Sequence, residues 1–239
     1  MSLSTLSALP NLKSLVLHCC YYPDSGDDDI SRVDGLRVLS LRELLFHDKP
    51  NFDGLLFSPA LFELSIDDTL ADLIVVGRRL PGNLRCLQVF RARSPSVQKI
   101  HPDDVRGVTS WILCNNPLIE DVLTEFGLGS YPCGGQDFLQ LSLKHYVGPS
   151  STFSSSAMGY RNLTVLELID NSTADRIESI VSTLPNLSCL SLSAEGNFIH
   201  YLSAIPLGHL KKLNLVYADS ISPVSRHDFV AADTYHFFI

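Results

Sequence analysis

The sequence has few charged residues and no long apolar segment. Only 18% of its 239 residues are charged, and 26 acidic residues outnumber 18 basic ones, which gives a formal net charge of −8. General binders of nucleic acid or of anionic membranes need a cationic surface, which this composition does not supply. The longest apolar runs, such as residues 73–76, are far shorter than the roughly 20 residues of a membrane helix. We therefore expect no nucleic acid and no membrane among the partners.

Cysteines are sparse, and the start of the chain is not typical of a secreted protein. The first twenty residues contain a single base, Lys13, and lack the charged start, apolar stretch and cleavage site of a signal peptide. Six cysteines in 239 residues are too few for a disulfide framework. The sequence therefore predicts an intracellular protein, cytoplasmic or nuclear, whose thiols are reduced.

Residue patterns typical of catalysis or metal binding are not found either. Nucleophilic catalysis needs a Ser or Cys, a His and an orienting acid within hydrogen-bond reach, whereas the eight histidines are scattered along the chain. Zinc ligands usually occur as Cys or His pairs at short spacing, but Cys19 and Cys20 are adjacent, and Cys20 is interpreted as a core thiol. The sequence predicts a protein that is not an enzyme, with no catalytic residue, cofactor or metal.

What the chain does contain is the spacing Leu-x-x-Leu-x-Leu, repeated along most of its length. Eight copies are clear: Leu12-Leu15-Leu17, Leu36-Leu39-Leu41, Leu61-Leu64-Ile66, Leu84-Leu87-Val89, Phe138-Leu141-Leu143, Leu163-Leu166-Leu168, Leu187-Leu190-Leu192 and Leu210-Leu213-Leu215. Neighbouring copies start 23 to 25 residues apart, except for one gap of 54 residues. That gap fits two repeats, one of them starting near Leu118 with Asp121 at the second leucine position. Nine repeats are therefore predicted.

The spacing has a physical cause. In Leu-x-Leu both leucines lie on one face of a short strand, and the leucine three residues earlier turns into the same interior. A single repeat cannot close a core, so we expect the repeats to stack and to pair their strands in a parallel sheet. Two of the connecting segments, residues 103–113 and 174–184, have a helical pattern.

This pattern resembles the leucine-rich repeat family, and most closely the repeat region of fungal or plant F-box/leucine-rich repeat proteins. At the Asn/Cys position that follows the strand in this family, only Cys20 and Asn171 conform. The resemblance implies an α/β fold, a curved solenoid with the parallel sheet on its concave side and helices and loops on its convex side. Residues 1–220 would form about nine irregular coils, and residues 221–239 either a C-terminal cap or a truncated coil.

The resemblance also implies a function. The expected role is a non-catalytic protein-protein interaction module, in particular the substrate-recognition part of an F-box-type ubiquitin ligase receptor. Contact with a cullin-ligase adaptor would require an F-box of about forty residues, for which there is no room before Leu12. Two alternatives remain open at this point: the repeat region of an intracellular immune receptor, and a GTPase-activating repeat protein.

The binding site is expected on the concave face, where the residues between and beside the strand leucines project. One stretch of that face is set apart by charge, because residues 73–102 contain no acid but six bases, namely Arg78, Arg79, Arg85, Arg91, Arg93 and Lys99. An arginine beside an exposed aromatic residue, in this case Phe90, is typical of a binding hot spot for an acidic or phosphorylated partner. The predicted partner-binding residues are Gln88, Phe90, Arg91, Arg93, Arg42, Glu63 and Asp67. The alternatives are a merely solvated surface and a Phe90 that turns inward.

Overall fold

The computed structural model describes residues 9–22, 33–46, 56, 58–68, 80–92, 102–128, 142–150, 160–170, 173–194, 208–217 and 234–238. The chain divides into two compact units, Met1–Phe138 and Leu139–Ile239. None of the helices in the described ranges is long and apolar enough to cross a lipid bilayer.

The first unit is built on a parallel sheet. Its elements are β1 (Ser14–His18), β2 (Tyr21–Tyr22), β3 (Val38–Arg42), β4 (Leu45–Phe46), β5 (Glu63–Asp67), β6 (Cys86–Phe90), helix α1 (Pro102–Asn115) and β7 (Asp121–Thr124). Five strands pair in parallel in the order β1-β3-β5-β6-β7, and the short strands β2 and β4 form a separate parallel pair.

The second unit repeats this plan. Its elements are β8 (His145–Gly148), β9 (Val165–Leu168), helix α2 (Ala174–Thr183), β10 (Cys189–Ala194), β11 (Lys212–Tyr217) and β12 (Thr234–Phe238). Strands β8 to β11 pair in parallel in chain order, and β12 adds to β11 in the antiparallel sense. The predicted boundary at residue 220 lies outside the described residues. In both units the sheet is open and not closed into a barrel, so the predicted α/β arrangement with a parallel sheet is confirmed.

Both predicted helices are present. The first, α1, starts one residue before the predicted segment and ends two residues after it, and α2 starts at the predicted residue and ends one residue early, at Thr183. In α2 the apolar residues Ile177, Ile180 and Val181 are buried, as is Leu184, which follows directly before Pro185. Since the residue before a proline disfavours helical backbone, Leu184 leaves the helix, which ends at Thr183.

The repeated leucines form the core. Leu36, Leu39 and Leu41 are between 0% and 1% exposed. Leu39 pairs with Leu64, which pairs with Leu87, so equivalent side chains stack in a continuous column along the sheet. Full burial of each such side chain contributes about 1.5–3 kcal/mol. The predicted inward orientation of the leucines is confirmed in these repeats.

A recurring backbone contact sets the position of each strand against the next. The carbonyl of Lys13, the residue after the first leucine of its repeat, accepts hydrogen bonds from the N–H groups of Arg37 and Val38 at 2.8 and 3.0 Å. The same arrangement recurs at the carbonyls of Arg37, Phe62, Arg85, Lys144, Thr164 and Ser188. Each of these carbonyls uses both of its lone pairs on two consecutive donors of the following repeat.

The predicted phase is wrong in the two middle repeats. The fifth repeat starts at Ile119, which is fully buried, and not at Leu118, which is 48% exposed. Val122 pairs with Leu87 and therefore occupies the second leucine position that was assigned to Asp121. The cause is that two apolar residues are adjacent at the start of this repeat, and the turn bond from the Ile119 N–H to the Asn116 carbonyl selects the second of them.

The sixth repeat is Leu143-Tyr146-Gly148 and not Phe138-Leu141-Leu143. Tyr146 pairs with Leu166 and Gly148 with Leu168, and both Leu143 and Tyr146 are fully buried. Phe138 and Leu141 lie outside the described residues. An aromatic ring and a glycine thus occupy positions where the pattern expects two leucines. The repeat therefore starts five residues later in the chain than the sequence predicts.

The phase of the fifth repeat can be tested with one substitution at two adjacent positions. Ile119→Asp removes a buried side chain and buries a carboxylate, at a cost of several kcal/mol against a typical total stability of about 5–15 kcal/mol. Leu118→Asp places the same carboxylate at a half-exposed site, and we expect a change below about 1 kcal/mol. Chemical denaturation followed by circular dichroism measures both. Equal loss of stability in the two variants would contradict a repeat that starts at Ile119.

Candidate functional site

The sheet of the first unit has a polar face opposite the leucine column. Alternate residues of each strand lie on it and align across the sheet in rows. The row at the middle of the strands consists of Val16, Ser40, Ser65, Gln88 and Leu123. The row where the strands end, which we call the strand-end row, consists of His18, Arg42, Asp67, Phe90 and Glu125. Of the predicted binding residues, the structure brings Arg42, Glu63, Asp67, Gln88 and Phe90 together on this face.

Exposure on the polar face falls from the first strand toward the middle of the sheet. Val16 on β1 is 62% exposed, whereas Ser65 on β5 is 4% exposed and Asp67 is 1% exposed. Phe90 on β6 is 6% exposed. Solvent therefore reaches mainly the β1 side of this face and the longer side chains that extend over its middle.

Phe90 is not the exposed aromatic residue that the sequence predicts. It lies on the polar face, since its strand neighbours Val89 and Leu87 bury their side chains on the other side, but it is covered. The guanidinium carbon of Arg42 lies 3.7 Å from the centroid of the Phe90 ring. The arginine extends past β5 to reach β6, and this stacking contributes about 0.5–2 kcal/mol. Solvent meets the cation and not the ring.

The acidic residues on the polar face have structural partners. The carboxylate of Asp67 accepts a hydrogen bond from the backbone N–H of Glu43 in the preceding repeat. Glu63 accepts a hydrogen bond from the side-chain amide of Gln88 at 3.3 Å. Asp67 is buried, so it stabilises the end of a strand and is not available as a contact for a partner, whereas Glu63 and Gln88 remain partly exposed.

Arg91 lies directly after Phe90 and is exposed. Its backbone N–H donates to a carboxylate oxygen of Glu125 at 2.8 Å, and its guanidinium carbon lies 5.2 Å from the centroid of the buried Phe126 ring. Glu125 and Phe126 are neighbours of Arg91 that sequence reasoning misses, because it assigns the fifth repeat to the wrong phase. In the correct phase Glu125 falls in the strand-end row.

The predicted basic stretch is described only in part. Arg85 donates to the carbonyls of Gly82 and Leu84 at 2.9 and 3.1 Å, so it stabilises the turn of its own repeat. Arg78, Arg79, Arg93 and Lys99 lie outside the described residues. The cations that the structure describes at the strand ends of this face are Arg42 and Arg91.

Carboxylates just after the strand ends accept backbone N–H groups of neighbouring repeats. Asp68, which is 2% exposed, accepts the backbone N–H of Ala92 at 2.8 Å. In the second unit Asp170 accepts the backbone N–H of Ser150 at 2.8 Å and its hydroxyl at 2.9 Å. Each bond satisfies a backbone N–H group that lies just after a strand, where sheet pairing stops. A buried N–H group without an acceptor would cost about 1–3 kcal/mol of stability.

Four of the six cysteines are described, and all four are free thiols, namely Cys19, Cys20, Cys86 and Cys189. Burial, together with the carboxylate of Glu63, raises the pKa of Cys86 to about 11. Burial also raises the pKa of Cys189. Both thiols are therefore weaker nucleophiles at neutral pH than an unperturbed cysteine.

Comparison of the chain with known proteins gives no match to any family model or to any curated protein.

Removal of the Asp68 carboxylate tests its structural role. Asp68→Ala leaves the buried N–H of Ala92 without its acceptor, and we expect a loss of about 1–3 kcal/mol in the free energy of unfolding. Asp68→Asn is the matched control because it keeps a carbonyl oxygen in the same place and should retain most of that stability. If chemical denaturation shows the alanine variant to be as stable as the parent, the bond does not contribute.

Alkylation of the thiols tests both their redox state and the raised pKa of Cys86. In denaturant without reductant, iodoacetamide should modify all six cysteines, as read by intact mass. In the native protein at pH 8 only about a thousandth of Cys86 would be thiolate, so its labelling should be far slower than that of an unperturbed thiol. Its labelling rate should still rise with pH beyond 9 and level off only above pH 11. Fewer than six modified cysteines in denaturant would indicate a disulfide.

Proposed function

We propose that the chain is a non-catalytic protein-binding module of the leucine-rich repeat type, and that the polar face of the first unit is its contact surface. The observation that carries this proposal is the stacking of Arg42 on Phe90 at 3.7 Å. Arg91, the residue after Phe90, stacks in turn over Phe126. Two arginines are thus held by aromatic rings, one at the end of β6 and one just after β7.

Stacking matters for binding because it restricts a flexible side chain before a partner arrives. An arginine that is already ordered loses less conformational entropy on binding, which is worth about 0.5–1.5 kcal/mol per side chain. Its planar fork matches a carboxylate or a phosphate in a bidentate manner. The partner class that fits this pair is therefore a protein segment that is acidic or phosphorylated.

The neighbouring acids support a selective contact. Asp67 and Glu125 are engaged with backbone N–H groups of adjacent repeats, at Glu43 and Arg91. Hydrogen bonding of this kind partly satisfies each carboxylate, and the two stacked cations lie beside them at the same strand ends. The partly exposed pair of Glu63 and Gln88 supplies polar contacts beside them.

The finer form of the proposal rests on the family resemblance. We propose that the stacked repeats continue as a curved solenoid with the polar face on its concave side, in an intracellular protein. The corresponding role is substrate recognition in an F-box-type ubiquitin ligase receptor. The test is to express the chain from its native gene and to identify the proteins that copurify with it. Recovery of a cullin-ligase adaptor would distinguish this role from that of an immune receptor or a GTPase-activating protein.

Charge removal at the two stacked arginines tests the contact surface. We expect Arg42→Gln combined with Arg91→Gln to weaken binding of a purified, captured partner by about tenfold or more at low salt, and the difference to shrink as salt rises. Isothermal titration calorimetry at two ionic strengths measures both effects.

Arg161→Gln is the matched control, because it removes the same charge at an exposed turn of the second unit. It should bind like the parent. Unchanged affinity in the double variant, or equal loss in the control, would show that the contact lies elsewhere.

A further inference from the structure

Three side chains of different metal-binding chemistry converge where β1 and β3 end. The thiol of Cys19 lies 3.1 Å from a carboxylate oxygen of Glu43, and the Nε2 atom of His18 lies 3.7 Å from that same oxygen. One ligand atom from each of the three residues lies within 4.8 Å of the other two. We propose that His18, Cys19 and Glu43 form a zinc-binding site, a role that goes beyond the binding of a protein partner.

The separations fit the coordination geometry of zinc. With Zn–S of about 2.3 Å and Zn–N and Zn–O of about 2.0–2.2 Å, the ligand atoms of a tetrahedral site lie about 3.3–3.6 Å from one another. The two measured separations to Glu43 bracket this range, and the remaining pair, His18 and Cys19, lies within 4.8 Å.

The backbone explains why these side chains meet. His18 pairs with Arg42, so the residues that follow them, Cys19 and Glu43, occupy equivalent positions in neighbouring repeats. Both adopt left-handed backbone, with φ of 52° and 51°, so their side chains leave the sheet in the same sense. The N–H of Cys19 donates to the Arg42 carbonyl at 3.1 Å, and the N–H of Glu43 donates to Asp67, which fixes both ligands in place.

The donor set selects the metal. A thiolate, an imidazole and a carboxylate together suit zinc, whereas calcium and magnesium require oxygen ligands. The thiolate and the carboxylate balance the two positive charges of zinc, and the neutral imidazole adds none. Metal binding breaks the hydrogen bond between Cys19 and Glu43, and the thiol proton passes to solvent.

The site is open on one side. Cys19 is exposed, and the side chain of His18 is 53% exposed while that of Glu43 is 16% exposed. Three protein ligands with solvent on the remaining side leave a fourth position for water or for a ligand atom supplied by a partner. The metal would join β1 to the repeat that follows it, since His18 and Cys19 belong to the first repeat and Glu43 to the second.

Cobalt titration of the reduced 239-residue chain tests the proposal. Co²⁺ takes the place of zinc and gives a thiolate-to-cobalt charge-transfer band together with the visible bands of a tetrahedral site. We expect one Co²⁺ per chain, its loss on addition of Zn²⁺, and no charge-transfer band in Cys19→Ser. Glu43→Gln should weaken Co²⁺ binding by at least about 10–100-fold. Loss of a residue that only supports a metal ligand already has an effect of that size.

Cys20→Ser and Cys189→Ser are the matched controls, since both remove a free thiol outside the cluster. Each should keep the charge-transfer band, and circular dichroism should show all variants to be folded. A parent that gives no thiolate band, a band that persists in Cys19→Ser, or a band lost in Cys20→Ser overturns the assignment. These outcomes do not affect the binding experiment on Arg42 and Arg91, which uses different residues and a different measurement.

Discussion

The carbonyl that follows the first leucine of each repeat is the contact on which the rest of the structure depends. At Lys13 it accepts the N–H groups of both Arg37 and Val38, and the following repeats use the same bonds. Because side chains alternate between the faces of a strand, a slip of one residue would exchange the leucine column with the polar face. Two donors on one acceptor specify the register twice, so the core and the candidate binding face are both consequences of this backbone contact.

Where the strands end, the chain must still satisfy the donors that leave the sheet. Asp67, Asp68 and Glu125 accept such N–H groups from neighbouring repeats. Acids occupied by backbone donors stabilise the fold, while the arginines placed among them are stacked on Phe90 and Phe126 and present their charge at the same edge.

The sequence predicts the parts of this structure that depend on hydrophobic alternation. The leucine positions, the parallel strands and the two helices follow from it, and so does the alignment of Arg42, Asp67 and Phe90. It fails where the pattern is degenerate, since Leu118 and Ile119 are both apolar and only the backbone turn distinguishes them. Tyr146 and Gly148 carry no leucine signal at all. Alternation also places Phe90 on the polar face correctly. A local pattern cannot show, however, that the Arg42 side chain extends past another strand and covers the ring.

The same argument explains why spacing rules miss the cluster of His18, Cys19 and Glu43. Those rules detect ligands that come together within one turn of chain, whereas stacked repeats bring equivalent positions to the spacing of adjacent strands, about 4.8 Å. Cys19 and Glu43 are 24 residues apart, as are Glu43 and Asp67, Asp68 and Ala92, and Asn83 and Pro59, and each pair is hydrogen-bonded. In such a chain a separation of one repeat is the equivalent of a short motif. Candidate sites are therefore found by comparing residues one period apart, and the correct phase of every repeat is the information that such a comparison requires.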